Sequence, residues 1–164
     1  MTTHPISNKD LPIATKSVER VVKIAFVRMK RNYNLEHAKW TNFWNNVEKH
    51  NKDLVAEKFE FPDEEGLLLT WVDELNWTLL TSHLLIGQIN GKKSKLEINK
   101  IRKYDFGVVK GLDGKLKELV VKMRWAEKKF IYETNGAGFM LMAGLDVLHT
   151  HWEREAIITK KRSY

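Results

Sequence analysis

The chain has 164 residues, 43% hydrophobic and 30% charged, which suits one domain whose core needs neither disulfide nor metal. It contains no cysteine, so disulfide scaffolds, thiolate zinc sites and cysteine nucleophiles are excluded, and a reducing cytoplasm is the expected setting. The 28 basic side chains against 21 acidic ones leave a net +7, which permits acidic proteins, anionic lipid or nucleic acid as partners without choosing among them.

The opening residues, MTTHPISNKDLPI, hold Pro5 and Pro12 among polar spacers and read as a loose arm over 1–13. No basic stretch runs into an apolar one there, and no later run approaches the roughly 18 to 20 apolar residues of a membrane span, so the expected protein is soluble and untargeted. Val18, Val21, Val22, Ala25, Phe26 and Met29 fall at helical spacing and predict an amphipathic helix over about 15–31. Lys16, Arg20, Lys23, Arg28, Lys30 and Arg31 take its other positions, which makes the solvent side strongly basic. NLEHAKWTNFWNNVEKH predicts a second helix, with Asn34 as N-cap and Trp40, Phe43, Trp44 and Val47 on one face. Residues 14–52 therefore read as a two-helix segment.

From about residue 54 the period changes to two, which opens a second unit over 53–156. LVAEKFEF places Val55, Phe59 and Phe61 on one side of a strand, and Pro62 with DEEG turns the chain into LLLTWVDE. NWTLLTSHLLIGQI then runs into Asn90-Gly91, a pair suited to a hairpin turn because both residues must accept positive φ. The return strand alternates Leu96 and Ile98 with Lys95, Glu97 and Asn99. Gly111 and Gly114 mark another turn, after which Leu119, Val121, Met123 and Trp125 alternate with polar neighbours. AEKK reads as a hairpin loop and Phe130–Thr134 as its partner strand. Gly136 and Gly138 then lead into a helix near 138–154, with Met142, Leu145, Leu148 and Trp152 at helical spacing and a basic tail over 157–164. The fold class is α+β: about seven antiparallel strands, two helices before them and one after.

Taken together, WTLLTSHLLIG, LEINKIRKYDFG, ELVVKMRWAEKKFIYET and the apolar terminal helix resemble the bacterial PH-like domain family, over residues 54–154. The resemblance implies the pleckstrin-homology superfold, a bent antiparallel barrel or sandwich closed at one corner by the C-terminal helix. It implies binding rather than catalysis.

Catalytic words are missing from the text. His149 and His151, two positions apart on a helix, point about 200° from each other and cannot share a metal. His83 reads as a partly exposed strand residue. NGAG lacks the spacing of a nucleotide loop, Asp63, Glu64 and Glu65 read as solvated turn charge, and no cofactor or metal is called for. Core or interdomain packing accounts for most aromatics, Trp125 included, with Trp77 the exception to watch.

Two basic surfaces remain as candidates for binding. One is the hairpin region Lys92, Lys93, Lys95, Lys100, Arg102 and Lys103. The other is the first helix, through Lys16, Arg20, Lys23, Phe26, Arg28, Lys30 and Arg31. The preferred reading is a non-enzymatic module for protein–protein interaction, because a groove beside the terminal helix and an open strand edge suit a protein or peptide. The alternative is a peripheral binder of anionic membranes through the amphipathic helix, although FPDEEG is acidic where a phosphoinositide-binding PH domain carries base. Nucleic acid, argued from charge alone, comes third. A homo-oligomer is left open.

Overall fold

The computed structural model describes residues 18–111 and 114–162. Helix α1, Val18–Asn32, leads to a short strand β1, Thr41–Phe43, and to helix α2, Lys49–Lys58. Strands β2 (Gly66–Asp73), β3 (Asn76–Thr81), β4 (Leu84–Ile89) and β5 (Lys92–Glu97) follow. Then come β6 (Lys103–Asp105), β7 (Leu116–Lys122), β8 (Glu127–Glu133) and the long helix α3, Gly136–Arg162. Every pairing is antiparallel, in a five-stranded sheet of order β1-β2-β3-β4-β5 and a separate three-stranded sheet β6-β7-β8. The architecture is α+β, but the strands do not close into a barrel.

Register explains how the larger sheet is held. Phe43, Leu68, Leu80, Leu85 and Leu96 stand opposite one another in successive strands, forming an apolar row across the inner face. That row packs with Leu119, Val121, Phe130 and Tyr132 of the smaller sheet, with Leu141, Leu145 and Leu148 of α3, and with Val21, Ala25 and Met29 of α1. The neighbouring row, Leu69, Leu79 and Ile86, points the other way and joins Trp44, Trp77 and Val55 in a second cluster. Burial on both faces is the reason LLLTW and NWTLLT read as continuous apolar text rather than as a strict alternation. Asn90 (φ 51°) and Gly91 (φ 79°) make the expected two-residue turn between Ile89 and Lys92.

Helix α1 is a core element, not an arm. Its apolar face crosses α3 at Gly144, where an added Cβ would lie 2.9 Å from Met29 Sδ and 2.9 Å from Leu80 Cδ2. A side chain there would push the ends of Met29 and Leu80 aside, so glycine suits the close approach of the two helices over the sheet.

The segment 34–61 departs from expectation. No helix spans 34–50: the side chain of Asn34 accepts the N–H of Glu36 in a local turn, Thr41–Phe43 adds a strand to β2, and Trp44–Asn46 form a 3-10 turn. Thr, Asn and aromatic residues are weak helix formers, and the open edge of β2 offers partners, as in the bond from Trp71 N–H to Trp40 O at 2.8 Å. The strand expected over LVAEKFEF is instead the end of α2. Val55 and Phe59 are four apart, a spacing that serves a helix face as well as a strand, and Ala56, Glu57 and Lys58 favour the helix. The apolar residues nonetheless reach one cluster: Phe59 meets Trp77 edge-on at 5.6 Å and Phe61 meets Trp44 at 5.6 Å.

At the other end, α3 runs past residue 154 to Arg162, because EREAIITKKR contains no helix breaker. The expected tail over 157–164 is therefore helical as far as Arg162. Residues 1–13, Lys16 and residues 163–164 lie outside the described residues.

Candidate functional site

The β7–β8 connection is a tight turn closed by Met123 N–H to Ala126 O at 2.8 Å, so strand β8 already begins at Glu127. The loop expected at AEKK thus comes earlier, and it lifts Trp125 off the strand face to the tip. Trp125 is 87% exposed, whereas Trp77, the residue singled out as unusual, is 1% exposed and sits in the second cluster. An alternating pattern continues through a tight turn without marking it, which is why the two tryptophans exchange roles.

Trp125 forms one wall of a cleft of about 630 Å³ between the start of β6, the β7–β8 turn and α3. Lys100, Ile101, Arg102, Met123, Arg124, His149 and Glu153 line the rest. The Arg124 guanidinium lies 5.0 Å from the centre of the Trp125 ring. On the helix side, His149 Nε2 bonds Ile101 O at 2.7 Å, and its ring meets Tyr104 edge-on. These contacts tie α3 to the sheet corner. Lys100 is paired with Glu97 at 2.9 Å, while Arg102 and Arg124 reach no acidic partner among the described residues.

The structure divides the basic hairpin residues. Lys100 and Arg102 line the cleft, and Lys103 opens β6 beside it. Lys92, Lys93 and Lys95 are exposed on β5, an edge strand, with Lys92 at the far end from the cleft, roughly 17 Å away along the strand by its rise. Lys93 and Lys95 share the face of the second cluster, where Lys93 Nζ lies 5.9 Å over Phe59. The backbone O of Lys95 accepts a bond from Lys128 Nζ.

On α1, Arg20, Lys23, Arg28, Lys30 and Arg31 are exposed. Phe26 is half-buried against the main core, with Lys30 Nζ 5.4 Å over its ring. Lys23 pairs with Glu19 at 3.3 Å. The apolar face that a membrane-inserting helix would need is covered by α3.

A second polar cluster sits where α3 meets the β3–β4 turn. His83 Nδ1 lies 2.9 Å from Ser82 Oγ and 3.1 Å from Glu65 Oε1, and Trp152 stacks on its ring. Ser, His and Glu are thus adjacent but not in relay. A hydrolytic triad needs the nucleophile on one ring nitrogen and the acid on the other; here both share Nδ1, and Ser82 is fully buried. His151, expected at a surface or boundary, is buried as well.

The exposed tryptophan beside two arginines that pair with no acid among the described residues is the feature that the sequence alone did not reveal. Its one textual signal is RWAEKK, which places bulk and charge together at a strand end. Compared with protein-family models, with curated proteins and with solved structures, the chain matches none of them.

Proposed function

We propose that the chain is a non-enzymatic PH-like binding module that takes up a segment of another protein at the corner cleft beside α3. Seven antiparallel strands before a terminal helix, with β1 added at the edge of the larger sheet, support the reading, since the resemblance implies about seven strands followed by one helix. The observation that carries the reading is Trp125: a large aromatic side chain held out at the rim of a concave cleft, with arginines beside it. Tryptophan and arginine are the residues that most often anchor protein interfaces. A groove between a strand and a helix also suits an extended or helical peptide.

Membrane adsorption through α1 is the weaker reading, since burial of Val21, Ala25 and Met29 removes the apolar contribution such adsorption requires. The test is a photo-crosslinking side chain at position 125, with position 75 at the exposed β2–β3 turn as control. A saturable protein adduct at 125 that is lost on Arg102→Glu supports the reading. Adducts with lipid alone, or equal adducts at both positions, overturn it.

A further inference from the structure

The charge arrangement at the cleft specifies what kind of segment enters it, on the reading of that cleft as a binding surface. We propose that the docked segment is an acidic stretch of another protein, with carboxylates on either side of an apolar side chain that covers Trp125.

Sheet register places Lys103 directly opposite Lys122. Like charges at opposed positions disfavour a strand pair, and Lys122 is flanked on its other side by Glu127 of β8. Arg102 precedes this pair, with its N–H on Lys122 O at 2.9 Å, and Arg124 follows it two residues beyond Lys122. Arg102 and Arg124 line the cleft, whereas Lys103 and Lys122 lie outside its lining, and none of the four forms an ion pair among the described residues. The nearby acids do not cancel them. Glu97 is held by Lys100, Glu127 stands opposite Lys122 without forming an ion pair, and Glu153 lies on the α3 wall.

The shape chooses among anions. A flat bilayer cannot follow a concave cleft, whereas a single extended segment can enter it and reach Arg102 and Arg124. Single-stranded nucleic acid binds where several aromatic rings interleave with cations, and Trp125 is the one large aromatic exposed here among the described residues. A guanidinium fork matches a carboxylate with two parallel hydrogen bonds.

The test uses the whole chain labelled with fluorotryptophan, the Trp125 resonance being the one lost in Trp125→Phe. The probes are a peptide of about a dozen Glu and Asp residues with one central Leu, its Gln and Asn counterpart, phosphatidylglycerol vesicles, and a single-stranded oligonucleotide. The acidic peptide should move the Trp125 signal saturably, and Arg102→Glu with Arg124→Glu should weaken it about tenfold or more.

The proposal is overturned if the acidic peptide leaves Trp125 unmoved, if the amide peptide moves it equally, or if vesicles or oligonucleotide bind more tightly than the peptide. Should the crosslink at 125 still capture a protein while the acidic peptide fails, only the acidity is wrong and the cleft stands; if both fail, both readings fall.

Discussion

Trp152 lies stacked on His83, ring centroids 4.2 Å apart, and donates its indole N–H to the carbonyl of Ser82 at 2.7 Å. One side chain thereby ties α3 to the turn between β3 and β4, some 70 residues earlier in the chain. Together with His149 on Ile101 O, it sets the line along which α3 leaves the sheet, and so the width of the cleft.

Replacing Trp152 by Phe keeps the ring and removes the donor. Ser82 is fully buried, so its carbonyl is left without that donor, and the expected loss is about 1 to 3 kcal/mol in urea unfolding. Trp152→Ala should cost more, because it also removes the stack.

Leu145 is fully buried between α3 and the sheets. Leu145→Ala should destabilise by about 2 to 5 kcal/mol, the ordinary range for such a truncation. A loss below about 0.5 kcal/mol would mean that α3 does not close the core.

Gly87 sits opposite Thr78, where an added Cβ would lie 2.5 Å from the Trp77 carbonyl oxygen. A backbone atom inside a sheet cannot yield as a flexible side chain does. Gly87→Ala should therefore cost about 1 to 3 kcal/mol, read as a lower denaturant midpoint at unchanged slope.

Tyr132 is fully buried and donates its hydroxyl hydrogen to Phe106 O. Burial raises its pKa above the ordinary tyrosine value, and the nearby charge of Asp105 raises it further. A raised folded value means the fold favours the protonated phenol. That contribution is complete below the unfolded value of about 10 and is lost as pH rises through the folded one. Tyr132→Phe should cost about 1 kcal/mol at neutral pH and should flatten the alkaline fall in stability seen with the parent chain.

Reversing Lys92, Lys93 and Lys95 to Glu should leave stability within about 0.5 kcal/mol, since all three are exposed on the edge of the sheet. Against an acidic partner the same triple variant should slow association at low salt and leave dissociation nearly unchanged, because Lys92 stands at the far end of β5 from the cleft. Stopped-flow binding separates the two rates.

Local periodicity alone determined α1, the buried face of α3 and the turn at Asn90-Gly91, because each depends on side chains within a few positions of one another. The same text placed Val55, Phe59 and Phe61 on one apolar side, and Trp44 on the apolar face of another element, on backbones that differ from the ones found. The four-residue spacing of Val55 and Phe59 serves a helix and a strand alike, and the edge of β2, distant in sequence, decided that 41–43 would extend the sheet. Trp77 and Trp125 were separated only in three dimensions, since alternation reports which face a residue points to but not whether another layer covers that face or where the strand turns. The cleft belongs to the same class: Arg102 and Arg124 are brought to one corner by the β6–β7 register and closed in by α3. No local rule encodes that meeting, because it depends on the packing of elements that are far apart in the chain.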